Sequence, residues 1–102
     1  MSELRGCIPI LCTPFDEQDA IDAAGMRAQI EWVLAEGASG VATLALASEG
    51  YKLTERERDE AVALVVEHVA GRVPVVVSAD GAGTAVAVDR AVRAASLGAD
   101  AL

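Results

Sequence analysis

Aromatic side chains are almost missing from this chain. One Trp, one Tyr and one Phe make up 3% of 102 residues, although 53% of the residues are hydrophobic. A core without rings must be assembled from Val, Ala, Leu and Ile. Positive charge is also scarce, with 8 Lys+Arg against 16 Asp+Glu and a formal net charge of −8. Nucleic-acid backbones and anionic membrane surfaces both require a basic face, so neither is expected as a partner. The single histidine, His68, has no companions at ligand spacing; it reads as a solvated side chain, and no metal site is indicated. The only cysteines, Cys7 and Cys12, lie an odd five positions apart in one predicted strand. They therefore point to opposite faces and do not pair, and the expectation is two buried free thiols in a reducing compartment. No apolar run approaches the roughly 20 residues of a membrane span, and the acidic start MSEL is unlike a signal peptide, so a cytoplasmic location is expected.

What is present is arranged around residues 40–54, GVATLALASEGYKLT. Residues 40–47 are nearly all apolar, with Thr43 the only hydroxyl. A run this short and apolar on both faces predicts a strand covered on both sides, the habit of parallel sheets. It turns polar at Ser48, Glu49 and Gly50, and Thr54 and Glu57 then form a T-x-x-E capping box that opens a helix. Ligands of open α/β sheets and of α/β barrels sit at the carboxyl ends of strands, so residues 47–51 form the candidate binding loop.

The same unit recurs along the chain. Residues 6–14, GCIPILCTP, predict a first strand, with Pro9 either near its beginning or where no ladder donor is needed. Asp22 is the expected N-cap of a helix whose inward face is Met26, Ile30, Val33 and Leu34, ended by Gly37. The helix after Thr54 carries Ala61, Leu64, Val65 and Val69 inward and stops at Gly71. Residues 72–77, RVPVVV, predict a third strand, followed by a loop of turn formers, SADGAG. Thr84 is expected to cap a third helix with Val88, Ala91, Val92 and Ala95 inward, and residues 100–102 to open a fourth strand. Strand and helix alternate about every 30 residues, the size of a βαβ module, which implies parallel pairing and right-handed crossovers in one domain. The chain ends as a strand begins, so it is read as the amino-terminal part of something larger.

The segments GCIPILCTPFDEQDAID, the W-x-x-x-x-G of Trp32 and Gly37, LTERER at 53–58, GRVPVVV at 71–77 and LGADAL at 97–102 stand in the order and spacing of one family. The chain resembles, along its whole length, the opening of the dihydrodipicolinate synthase / N-acetylneuraminate lyase family. The resemblance implies the first three and a half βα units of a (β/α)₈ TIM barrel, truncated at the start of strand 4, with residues 1–102 a single partial domain. It further implies a Schiff-base (class I) aldolase or lyase acting on pyruvate or another 2-oxo acid, without a cofactor, as a homo-oligomer. The family's lysine on the sixth strand and its tyrosine at the end of the fifth both fall beyond Leu102. Lys52, the only lysine here, lies in the loop before the second helix and is not that residue. The segment thus holds no catalytic residue and is expected to be inactive alone.

The family's G-T-T-G-E motif aligns with Ala45, Leu46, Ala47, Ser48 and Glu49, and only the glutamate is kept. Leu46 and Ala47 replace the threonines that help hold the substrate carboxylate and relay a proton, and Leu46 is expected to fill space next to the substrate. Where the family tends to G-x-G after the third strand, this chain has Ser78, Ala79 and Asp80. The candidate substrate-binding residues are Leu46, Ala47, Ser48 and Glu49. The N–H groups of Ala47 and Ser48 suit a carboxylate, with the Ser48 hydroxyl oriented by Glu49; the preferred reading of Glu49 is that it pins its own loop through backbone amides. Tyr51 either enters a neighbouring subunit's site or covers the loop. Asp80 and Thr84 read as caps, and Trp32 as packing between helix and sheet. A relative on the same fold that binds or assembles without catalysis is the second reading, favoured by the lost threonines. A doubly wound, receiver-like domain is the third.

Overall fold

In the computed structural model, which describes residues 3–102, Asp22 opens the first helix. Its carboxylate accepts from the Gly25 N–H at 2.9 Å, and α1 then runs Ala23–Ala35 with Met26, Ile30 and Val33 buried. Gly37, at φ 94°, ends it in the left-handed conformation that glycine adopts without strain. The acidic start MSEL begins with Met1 and Ser2, which lie outside the described residues. The second helix, α2 (Glu55–Val69), opens on the expected capping box. The Thr54 hydroxyl accepts from the Glu57 N–H at 3.1 Å while the Glu57 carboxylate accepts from the Thr54 N–H at 2.9 Å. Its inward stripe is Ala61, Val62, Val65 and Val69, with Leu64 partly buried.

Two strands pair in parallel, β1 (Val41–Thr43) and β2 (Val75–Val77), with Ala42 opposite Val76. Isolated parallel bridges extend the row on both sides, Ile10 to Ala42 and Ala101 to Val76. The order across the sheet is therefore sequential, with the second segment between the first and the third. A doubly wound receiver puts its first strand between the second and third, so this pairing contradicts that reading. Val41, Thr43, Val75 and Val77 are buried, whereas their register neighbours Ala42 and Val76 are half-buried and Ile10 is 46% exposed. One face of the sheet is thus fully covered and the other only partly.

The strands are shorter than expected. Residues 6–14 contribute a single bridge, where the Pro9 carbonyl accepts from Ala42 and the Leu11 N–H donates to Ala42; Pro9 indeed needs no donor there. Residues 40–47 do not continue as strand past Thr43, because Leu44 turns into the left-handed region at φ 63° and the chain closes a 3₁₀ turn, Leu46–Ser48. The third strand omits residues 72–74. Pro74 has no N–H, and Arg72 is held back on the end of α2 through the Val69 carbonyl.

The third helix, α3 (Thr84–Ser96), departs furthest from expectation. Its N-cap is Gly83, without a side-chain cap bond, and Thr84 is its first helical residue rather than the cap. Val88 and Val92 are exposed, and so is Ala95; the inward contacts come from Ala94, with Ala91 and Leu97 partly buried. Arg90 pairs with Glu55, and Arg93 with Asp59, both on α2; the face of α3 that meets α2 is thus the one bearing Arg90, Arg93 and Ala94, and the valine stripe lies off it. Cys7 and Cys12 are exposed, not buried: the segment makes one bridge to β1 and is otherwise tied by bonds from its backbone, which leave both thiols at the surface. Trp32 is 66% exposed on the outer side of α1 and does not pack against the sheet. His68 is half-buried rather than solvated, with Nε2 2.7 Å from Glu31. No helix among the described residues is long and apolar enough to cross a membrane.

Candidate functional site

The turn after β1 stands at the carboxyl ends of the parallel strands, the end where α/β sheets hold ligands. Ser48 anchors it. Its side chain is fully buried and its hydroxyl donates to the Leu11 carbonyl, while the Thr13 hydroxyl donates to the Ser48 carbonyl at 2.8 Å. Two hydrogen bonds thereby fasten the turn to the end of the first segment, 35 and 37 residues away in the chain. That segment is itself held by Gln29 of α1, whose amide accepts from the Cys12 N–H at 2.7 Å and donates to the Cys12 carbonyl at 3.0 Å.

The predicted residues divide accordingly. The Ser48 N–H donates to the Ala45 carbonyl at 3.0 Å, so it closes the turn instead of facing a ligand. Its hydroxyl answers to Leu11, not to Glu49. Glu49, left-handed at φ 55°, pairs with Lys52 at 3.1 Å; its carboxylate does not pin the loop through backbone amides. Lys52 is held above its ordinary pKa by that hydrogen bond first and by the charge of Glu49 second. Ala47 is exposed, and its N–H meets no acceptor among the described residues. Leu46 is 81% exposed and projects from the same turn. Tyr51 is exposed, with the Lys52 ammonium 5.8 Å from its ring centroid, and so does not cover the loop. Asp80 accepts from the Ser78 hydroxyl at 3.1 Å and caps no helix.

Thr13, Gln29 and Arg58 escaped the sequence reading. A hydroxyl directly after an apolar run, as in the C-T-P of residues 12–14, is the signal that could have pointed to Thr13; the partners of Gln29 and Arg58 lie too far along the chain to leave one. The Arg58 guanidinium donates to the carbonyls of Gly50 at 3.3 Å and Ser78 at 3.0 Å, beneath the loops that follow β1 and β2. The gap beside it, lined by Leu44, Glu55, Asp59, Arg90 and Ala94, is about 10 Å³, no larger than one water. A roomier apolar groove of about 190 Å³ between Cys7, Pro9, Trp32 and Gly37 lies at the opposite, amino-terminal end of the strands.

Comparison with known proteins places this arrangement. The sequence profile of the Dihydrodipicolinate synthetase family matches residues 3–102. The chain belongs to the dihydrodipicolinate synthetase family. It is 40% identical over 99 residues to the 4-hydroxy-tetrahydrodipicolinate synthase of Bartonella quintana, covering 97% of this chain and 34% of that protein. It is 37% identical over 95 residues to the L-2-keto-3-deoxyarabonate dehydratase of Azospirillum brasilense, covering 93% of this chain and 31% of that protein. Among solved structures it is similar to YagE, a prophage protein of the dihydrodipicolinic acid synthase family from E. coli K12, determined in complex with pyruvate. There the TM-score is 0.89 at 28% identity, over 93% of this chain and 32% of the other. This dihydrodipicolinate synthetase family chain spans about a third of the length of the curated relatives it matches.

Proposed function

We propose that residues 1–102 are the amino-terminal third of a (β/α)₈ barrel that acts as a Schiff-base lyase on pyruvate or another 2-oxo acid. The observation that carries this reading is the sequential parallel row Ile10, Ala42, Val76, Ala101, only partly covered on one face and bearing the Leu46–Ser48 turn at its carboxyl end. A sheet of that order whose uncovered side chains include Ile10 suits further strands curling round to enclose it. Two relatives support the substrate class: one is named for a 2-keto acid, and the other was solved with pyruvate. In this reading a lysine beyond Leu102, desolvated in the barrel mouth, attacks the 2-oxo carbon and water leaves as the imine forms. In this reading the Ala47 N–H receives the substrate carboxylate, and as a backbone donor it needs little reorganisation to do so. The dehydratase relative favours a carbon–oxygen lyase as much as a carbon–carbon one. No cofactor is involved, the 102 residues alone are inactive, and the full-length protein is a cytoplasmic homo-oligomer in which Tyr51 is available to a neighbouring subunit.

A second reading, a relative that binds or assembles without catalysis, is favoured by Leu46 and Ala47, neither of which carries an exchangeable side-chain proton. Borohydride trapping with pyruvate on the full-length protein, read by mass spectrometry, separates the two. A reduced adduct on one lysine is expected. If no lysine is modified across a range of 2-oxo acids, the lyase reading is wrong and the binding reading replaces it.

A further inference from the structure

Arg58 sits on the first turn of α2 with 4% of its surface exposed. Among the described residues no carboxylate lies within ion-pair distance of it. Burial lowers its pKa, the nearby Arg90 adds to that, and Asp80, Glu55 and Asp59 oppose it from further away. The neighbouring arginines are engaged elsewhere, Arg90 with Glu55 and the Asp80 carbonyl, Arg93 with Asp59. Burying a cation without a direct counter-ion is costly, and an apolar side chain of similar volume would fill the space at lower cost. What an apolar side chain lacks is a planar fork of donors that holds two carbonyl oxygens at a set separation.

Those two carbonyls belong to different loops. Gly50 lies in the loop after β1, and Ser78 is the first residue beyond β2. Gly50 is shaped for the contact: a Cβ there would fall 2.5 Å from the Leu44 carbonyl oxygen and 3.1 Å from Arg58 Nη1. The Leu44 carbonyl oxygen leaves no room for a side chain at this position, and the guanidinium lies close on the same side. Both loops stand at the carboxyl ends of adjacent strands, beside the Leu46–Ser48 turn.

We propose that Arg58 is a positioning residue whose guanidinium ties the loop after β1 to the loop after β2, setting the span across which these loops receive the substrate. The link to substrate rests on the lyase reading; the tie itself does not. The test uses Arg58→Lys, which keeps the charge but cannot fork, and Arg58→Met, which keeps the volume alone, both in the full-length protein.

Hydrogen exchange read by mass spectrometry is expected to show residues 46–53 and 78–83 losing protection together, by about tenfold, while α1 is unchanged. Borohydride trapping at saturating pyruvate is expected to slow about 10- to 100-fold, with the half-saturating concentration changing far less, because a small misplacement acts on the reacting geometry. Where Arg58→Met does not fold, Arg58→Lys carries both readouts. Loops that stay protected, or only one loop that loosens, overturn the proposal, as does an unchanged trapping rate with both loops loosened. If the wild-type protein traps no pyruvate, the lyase reading fails, and the exchange result alone decides the tie: joint loosening upholds it and any other pattern overturns it.

Discussion

Glu31 on α1 accepts both terminal nitrogens of Arg72, Nη2 at 2.7 Å and Nη1 at 3.1 Å. Arg72 follows the end of α2 and donates as well to the carbonyls of Val69 and His68, so this bidentate pair joins the first helix to the turn that leads into β2. The hydrogen-bonded Arg72 guanidinium is the largest influence; it outweighs desolvation, which acts the other way, and with the smaller His68 hydrogen bond holds the Glu31 carboxyl at about 2 against an ordinary 4.5.

A depressed carboxylate pKa stabilises the folded state above the unfolded value and loses that contribution as pH falls through the folded value. For Glu31 the window lies between pH 4.5 and about 2. Glu31→Gln is expected to lower the Tm slightly at neutral pH and to flatten the acid limb of the Tm–pH curve in that window. The effect is small because the pair is exposed. An acid limb identical to wild type would remove Glu31 from the pH dependence.

The capping box at the start of α2 satisfies two N–H groups that the helix cannot satisfy itself. Thr54→Ala is expected to cost about 1 kcal/mol in urea unfolding of the full-length protein, and Thr54→Ser a few tenths at most. Equal losses in the two variants would show that the hydroxyl contributes nothing.

Ser48 is buried and donates to the Leu11 carbonyl. Ser48→Ala leaves that carbonyl without its donor and is expected to cost about 1–3 kcal/mol. Thr13→Val removes a partly buried bond to the same turn and is expected to cost less, about 0.5–1.5 kcal/mol. Thermal melts of both variants check the ranking, and the reverse order would mean that the turn is held chiefly through Thr13.

Leu46 and Ala47 occupy the turn without a hydroxyl between them. On the lyase reading, the full-length protein turns over dihydrodipicolinate precursors poorly while still forming a pyruvate adduct. Leu46→Thr with Ala47→Thr is expected to raise that turnover without raising adduct formation. Turnover unchanged in the double variant, measured alongside borohydride trapping, would show that the missing hydroxyls do not limit the reaction.

Much of the fold is legible in the sequence because it rests on interactions only a few residues long. Asp22 reaches Gly25, Thr54 and Glu57 reach each other, and Met26, Ile30 and Val33 share a face by helical period alone. Gly37 marks a helix end for an equally local reason, and the alternation of strand and helix follows from the order of these signals. The location of the candidate site was legible too, since it follows from where an apolar run turns polar before a cap.

Its chemistry was not, because the partners lie far along the chain. Ser48 points to Leu11, Arg58 to Ser78 and Glu31 to Arg72, partners 37, 20 and 41 positions apart in the chain. The valines of α3 carry an inward period, yet it is the face with Arg90 and Arg93 that meets Glu55 and Asp59 of α2, and Val88 and Val92 are exposed. The run at 40–47 has the composition of one long strand. Its length is decided by which neighbours offer ladder hydrogen bonds and by the turn at Leu44, where the chain bends to bring Ser48 against Leu11. Propensity and period settle which elements form; only the folded path of the whole chain settles which distant groups meet, and so which N–H and hydroxyl groups are left to receive a ligand.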